Sequence, residues 1–331
     1  MGKYIFKRVL MLIPVIIGVS FLIFVMLDLA PGNVLDMIAG DYTPEQLAEL
    51  EHELGYDRSV FYRYGMYMWD LLHGDLGTSY IYKAPVWDLY IQRLPSTLKL
   101  AGASVLVSIL LSIPLGITAA TKHGSLTDNA SMVAALLGLS MPNFWLGLML
   151  IIIFSQGLGW FPSSGDKDGI LSLILPAITV GTGLMATLTR TTRSSMLDVI
   201  RSDYLRTARS KGVPEKTVVR KHALKNALIP IITVIGTQMG RTLGGSVVTE
   251  NVFSWPGVGR LTIEAVKQRD TTTVTGCIIM SVIMISVVQL LVDLTYAFVD
   301  PRLRAQYASS GRKKKAAVSA KKADESEKGG V

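Results

Sequence analysis

Val9–Leu27 reads VLMLIPVIIGVSFLIFVML, and no charged residue interrupts it. A helix rises about 1.5 Å per residue, so roughly 20 apolar residues cross the hydrocarbon core of a bilayer. This stretch is long enough to do so, and Lys3, Lys7 and Arg8 precede it. It exceeds the apolar region of a signal peptide, and Leu29-Ala30-Pro31-Gly32 behind it offers no small-residue cleavage site. The segment therefore reads as a retained membrane helix, residues 1–29.

Further charge-poor stretches of spanning length follow outward from it. They lie at about 100–121, 130–154, 170–189, 227–248 and 273–292. The uncharged interval from Asp128 to Asp166 is too long for one straight helix, so it is read as the 130–154 span, which Pro142 is expected to kink or to start, followed by an outer loop at Gly157–Gly165. The expectation is an all-α integral membrane protein with six transmembrane helices. Composition agrees: half of the 331 residues are apolar and only 18% are charged, too few to cover a soluble surface. One cysteine, Cys277, lies within an apolar run, which excludes an intrachain disulfide. The four histidines are scattered without metal-ligand spacing.

The formal charge of +8 would suggest nucleic acid in a soluble chain, but here it follows topology. Between the fourth and fifth spans, residues 190–226 carry Arg190, Arg193, Arg201, Arg206, Arg209 and Lys211, with more basic residues behind. The 298–331 tail adds Arg302, Arg304 and the run Arg312-Lys313-Lys314-Lys315. The segment after the first span is acidic, with Asp36, Asp41, Glu45, Glu49, Asp57 and Asp70. Positive segments stay inside, so both termini and the 190–226 loop are expected in the cytoplasm. An even number of spans requires the same. The tail is expected to be largely disordered, with its basic part free to lie on anionic membrane lipid.

Two connecting segments carry folding signals. In residues 30–93, Thr43 followed by Pro44 and, three residues after the threonine, Gln46 makes a capping box; Leu47, Leu50 and Leu54 then share a face. A second helix is expected over Arg58–Leu72, giving an extracytoplasmic helical region that serves as a cap or as a packed spacer. In the cytoplasmic loop, Asp203–Ser210 favours a helix, Gly212 breaks it, and Pro214-Glu215 starts a second helix that runs into the fifth span. Topology explains the charge of this loop but not its helix–Gly–helix pattern, which asks for a docking partner.

The stretch Asp203-Tyr204-Leu205-Arg206-Thr207-Ala208-Arg209-Ser210-Lys211-Gly212 resembles the EAA loop of binding-protein-dependent ABC transporter permeases. Arg206-Thr207-Ala208 takes the EAA place and Gly212 that of the loop glycine. Where the general pattern has a proline this chain has Lys225, and its proline is Pro230, a variant similar to the peptide/nickel (oligopeptide and dipeptide) branch. His73-Gly74-Asp75-Leu76-Gly77, Ala30-Pro31-Gly32, Ser140-Met141-Pro142, Arg193-Ser194-Ser195-Met196, Glu250-Asn251-Val252-Phe253-Ser254-Trp255-Pro256-Gly257, Val292-Asp293-Leu294 and Asp300-Pro301-Arg302 fit the same branch. The HGDLG segment is similar to the first of the two permeases in such systems.

The resemblance implies a permease subunit of an ATP-driven importer in a bacterial or archaeal cell membrane, with a core from about 94 to 297. It implies a second homologous permease, cytoplasmic ATP-binding subunits and an extracytoplasmic substrate-binding protein as partners. Tyr204, Arg206, Thr207, Ala208, Lys211 and Gly212 would meet the ATPase. The chain has no G-x-x-x-x-G-K-[ST] loop, so ATP is expected on the partner subunits and no cofactor on this chain.

Within the fifth span, Gly236, Gly240 and Gly244 form a small-residue stripe, read as packing within one subunit ahead of a permease–permease seam. Arg241 lies in the same span. It either lines the path and faces a carboxylate, or snorkels past Val248 to the interface, the reading its distance favours. Two rival classes remain on chemistry alone. An intramembrane serine protease would need a nucleophile and base, yet there is no G-x-S-x-G and no histidine in a span. An ion-coupled secondary transporter would need mid-membrane ionisable groups, for which Arg241 is the candidate.

Overall fold

The chain was analysed as a computed structural model, which describes residues 2–30, 34–41 and 43–299. The expectations for Pro31-Gly32, for Asp300-Pro301-Arg302 and for the tail with its 312–315 basic run fall outside those residues. Helix α1 covers Gly2–Leu29 and makes aromatic contacts with the helical segment that follows it, here labelled the cap. Phe21 and Phe24 sit edge-on to Tyr64, with ring centroids 5.2 and 5.7 Å apart. Ser20, fully buried, lies 2.9 Å from the Tyr64 hydroxyl.

The cap comprises α2 (Val34–Ile38), α3 (Pro44–Glu53), α4 (Val60–Leu72) and a short hairpin. α3 begins as its sequence specifies. The Gln46 amide donates to Thr43 Oγ1, and the Thr43 amide donates to Gln46 Oε1 at 2.9 Å, a reciprocal capping box. Leu50 is buried with Leu35 and Ile38, and Leu47 and Leu54 pack beside it. α4 starts at Val60 behind the Ser59 cap, two residues later than Arg58. The hairpin of β1 (Thr78–Ser79) and β2 (Ala84–Pro85), which local propensity does not announce, turns the HGDLG segment back onto the membrane core. Gly77 sits at φ +80°, and a Cβ there would lie 2.6 Å from Thr272 Cγ2, so only glycine fits the approach.

The core is built on α5 (Val86–Thr121) and α8 (Ile170–Ile200), packed along one another. Their seam is made by small residues, the means by which helices approach closely in lipid. A Cβ on Gly181 would lie 2.9 Å from the Ser104 carbonyl, and one on Gly116 would lie 2.5 Å from Thr192 Cβ. Ser108 Oγ donates to the Gly181 carbonyl at 2.8 Å across the same seam. α5 begins well before residue 100 and α8 continues past 189, so both extend beyond the stretches that hydropathy delimits.

Between them, α6 (Leu126–Ser140) and α7 (Asn143–Leu150), the latter continuing as a π-helix over Ile151–Gly157, meet at a bend of 107°. Pro142 causes the break. It lacks an amide hydrogen and sits in an extended conformation at φ −61°, ψ 134°. The expected third span is thus a bent pair. Among the described residues, four helices (α1, α5, α8 and α13, Thr271–Val299) are long and apolar enough to cross a membrane, and the bent pair brings the number to five if it is one span.

The remaining elements are α9 (Asp203–Ser210), α10 (Glu215–Thr217), a π-helical stretch Val218–Ala223, α11 (Leu224–Val252) and α12 (Val258–Lys267). α11 has 29 residues, about 44 Å of helix, but its polar residues keep it out of the apolar set.

Candidate coupling elbow and polar sites

α9 ends in a Schellman motif. The Gly212 amide donates to the Arg209 carbonyl at 2.9 Å, and the Val213 amide reaches back to the Ala208 carbonyl at 3.3 Å. Gly212 has φ +75°, the left-handed conformation in which glycine carries no Cβ penalty. A Cβ there would meet nothing within 4 Å, so the glycine answers to backbone geometry and leaves the tip of the turn open. Across that turn, Arg209 Nε and Nη2 donate to the two carboxylate oxygens of Glu215 at 3.0 and 2.8 Å. The guanidinium holds the Glu215 carboxyl below its ordinary range.

The elbow is anchored by an apolar core. Leu205, fully buried, packs with Met196 of α8, Ala120 of α5, Ala227 of α11, and Val218, Val219 and Ala223 of the π-helical stretch. Its opposite face is free: Tyr204, Arg206, Thr207, Lys211 and Gly212 are exposed and Ala208 is half-buried. The residues read as an ATPase-facing set therefore share one protruding, water-facing element. Asn226 Nδ2 also donates to the Tyr204 hydroxyl at 2.7 Å, tying α9 to the base of α11.

The second set divides. Gly236 is buried, and a Cβ on Gly240 would lie 3.3 Å from Gln289 Oε1 and 3.5 Å from Ile285 Cγ2 on α13. At Gly244, which is exposed, a Cβ would just touch Ile285 Cδ1 at 3.9 Å. Arg241 is exposed. The side chain of Asp293 lies outside what the structure describes.

Two buried carboxylates, neither singled out in the sequence, hold the architecture. Asp128, 1% exposed, accepts from Arg193 Nε at 2.6 Å, from Arg193 Nη2 at 2.8 Å and from the Gly124 amide at 3.0 Å, with His123 Nδ1 3.1 Å away. This cluster clamps the start of α6 to α8 next to the elbow. Glu250, fully buried, accepts from Thr97 Oγ1 at 2.9 Å, Ser246 Oγ at 3.1 Å and the Arg260 amide at 3.1 Å. Its carboxylate thereby caps the N-terminus of α12, where backbone amides and the helix dipole favour negative charge. Gly257 and Gly259 make room for it: a Cβ on either would fall within 3 Å of Glu250 Oε2. The ENVFSWPG motif contains this capping glutamate, but its partner Thr97 is far away in sequence.

On the cap side, buried Asp270 accepts from Ser79 Oγ and from Thr273 Oγ1, fastening the hairpin to the start of α13. A cavity of about 410 Å³ lies among α1, the cap and the α12–α13 corner, with Arg63 paired to Asp28 in its wall. Among the described residues, no group of three or more His, Cys, Asp or Glu side chains could hold a metal ion.

Comparison with known proteins places this geometry in a family. Residues 112–305 match the family described as binding-protein-dependent transport system inner membrane component. Residues 1–101 match the N-terminal family of such transport system membrane components. The chain is 41% identical over 332 residues to the dipeptide transport system permease protein DppB of Alkalihalophilus pseudofirmus, covering 92% of this chain and 100% of that protein. It is 39% identical over 336 residues to DppB of Escherichia coli K12, covering 92% of this chain and 99% of that protein. With the oligopeptide transport system permease protein AppB of Bacillus subtilis, identity is 40% over 317 residues, 92% of this chain and 99% of that protein. An inward-facing structure of the MetNI methionine ABC transporter shares the fold at a TM-score of 0.55 and 18% identity, covering 64% of this chain and 96% of that one. The chain belongs to the inner-membrane components of binding-protein-dependent transport systems, the permease subunits of ABC importers.

Proposed function

We propose that this chain forms half of the translocation pore of an ATP-driven peptide importer and is driven through the elbow at Gly212. The observation that carries the reading is the elbow itself: a glycine-closed pair of helices, rooted in a buried core around Leu205 and presenting a free face of Tyr204, Arg206, Thr207 and Lys211. An element so anchored transmits displacement, because its buried side is continuous with α5, α8 and α11. A partner that changes shape on binding ATP can then bias which side of the pore is open.

Peptide as the cargo rests on the relatives named for dipeptide and oligopeptide transport. In this reading the chain spans the membrane six times with both termini inside, α11 being the fifth span along the chain, and ATP is bound by separate cytoplasmic subunits. A second homologous permease completes the pore, an extracytoplasmic binding protein delivers the peptide to the cap side, and this chain has no ATPase site of its own. Purification of the tagged protein from its native membrane in mild detergent tests the assembly. Co-recovery of an ATP-binding subunit and a second permease is expected. Recovery of this chain by itself, from membranes active in peptide uptake, contradicts it.

A further inference from the structure

α11 carries a row of exposed residues three or four apart: Pro230, Thr233, Thr237, Arg241, Gly244 and Val248. That spacing puts them on one helix face. By contrast, the exposed faces along most of α1 and the middle of α5 are apolar. Along α1 they show Leu10, Ile13, Ile17 and Leu22, and along α5 Leu106 and Leu110. Lipid solvates such faces well.

Between its apolar ends, Pro230 and Val248, the α11 row instead presents hydroxyls, a guanidinium and a glycine. The helix cannot roll to hide them, because Ile231 and Leu243 on its other sides are buried, Ile231 in a cluster with Leu184 and Leu188 of α8. The hydroxyls of Thr233 and Thr237 partly satisfy themselves, donating to the carbonyls of Ile229 and Thr233 at 3.0 and 3.1 Å. Arg241 has no such outlet: no described residue gives it a hydrogen bond or an ion pair. It lies about 16 Å along the helix from Val252, too deep for a bare cation facing lipid to be cheap. Its neighbours one turn to either side, Thr237 and Gly244, continue a polar, open surface rather than an apolar one.

We infer that this face of α11 lines the water-filled path of the pore and that Arg241 engages a carboxylate of the transported solute there. A planar guanidinium matches a carboxylate bidentately, and water on the open side keeps the contact weak enough to release. The inference rests on the importer reading and adds to it the position and charge of a solute contact. It takes Arg241 as a path residue in place of a snorkelling one, because the next residue on its face is Gly244, which offers no apolar side chain for the guanidinium stem to run along.

The chain is its own background for the test, because its one cysteine, Cys277, is fully buried. In the complete transporter, Arg241→Cys is expected to lower uptake of a labelled dipeptide at least tenfold. Modification with aminoethyl methanethiosulfonate, which restores a positive charge, is expected to recover much of that loss. Sulfonatoethyl methanethiosulfonate, which adds a negative charge, is expected to recover none, and saturating dipeptide should slow both modifications. Leu110→Cys, on the lipid-facing side, should not react with the sulfonate.

Wild-type uptake by Arg241→Cys, failure of the sulfonate reagent to reach it, or equal effects of the two reagents overturns the inference and leaves the importer reading intact. Loss of the second permease from the purified variant assigns Arg241 to a subunit seam and also overturns it. A wild-type transporter that takes up no peptide is recognised before any variant is made, and removes the importer reading together with this inference.

Discussion

Asn226 Nδ2 donates to the Tyr204 hydroxyl at 2.7 Å, so the exposed face of α9 is bonded to the base of α11, the helix that carries Arg241. A neutral hydrogen bond of this kind contributes about 0.5–1.5 kcal/mol. Tyr204→Phe should therefore leave the fold and ATP hydrolysis in place and lower peptide uptake several-fold. Asn226→Ala should do the same, and the double variant should be no worse than either. Additive losses in a double-mutant cycle would show that the two residues act separately.

The Arg209–Glu215 pair sets a pH dependence for the elbow. The Glu215 carboxyl is held below its ordinary value by the guanidinium, so the folded form binds its proton more weakly than the unfolded one. The stabilisation is present above the ordinary carboxylate range and is lost as pH falls through the depressed folded value. Both side chains are substantially exposed, at 37% and 61%, so the effect is small, about 0–1 kcal/mol, and shrinks with salt. Amide exchange across 203–217 at pH 7 should be faster in Glu215→Gln than in the wild type, and the difference should vanish at acid pH, once the wild-type carboxyl is protonated. A difference that persists at acid pH would contradict this origin.

Asp128 and Arg193 make the opposite kind of pair. Asp128 is 1% exposed, so removing its partner strands a buried charge. Arg193→Ala should cost about 3–5 kcal/mol, seen as a large drop in the melting temperature of the detergent-solubilised protein. Replacing both with apolar residues of similar size should recover much of the loss. Equal melting of the single and double variants would refute the ion pair as the cause.

Glycine positions separate by what surrounds them. A Cβ on Gly259 would sit 2.6 Å from Val247 Cα, a backbone atom that cannot swing away, whereas one on Gly244 would lie 3.9 Å from Ile285. Gly259→Ala should abolish accumulation of folded protein in the membrane, and Gly244→Ala should be stable. Comparable expression and melting of the two variants would show that α12 can shift away from α11 at little cost.

α1, α5, α8 and α13 were legible in the sequence because solvation by lipid imposes a one-dimensional rule on composition. The capping box at Thr43 and the break at Gly212 were legible because helix termini are decided by residues a few positions apart. The 107° bend at Pro142 was legible as a disruption but not as an angle, which packing against α8 and α11 determines. The clamps were not legible. Asp128 finds Arg193 and Glu250 finds Thr97 only after the helices have assembled, and each residue taken singly reads as an ordinary polar side chain. Arg241 was legible as an anomaly, but the polar row around it emerges only once the buried sides of α11 are known.

If the elbow meets a separate ATPase, site-specific crosslinking from its exposed face will capture that subunit. A photoreactive residue placed at Thr207 or Lys211, both exposed on the elbow, would be activated in intact cells expressing the whole transport system. A covalent adduct between this chain and an ATP-binding subunit is expected, and none when the same group is placed at Leu110, an exposed apolar position in the middle of α5. Adducts from Leu110 but none from Thr207 and Lys211, in cells that take up peptide normally, would contradict it.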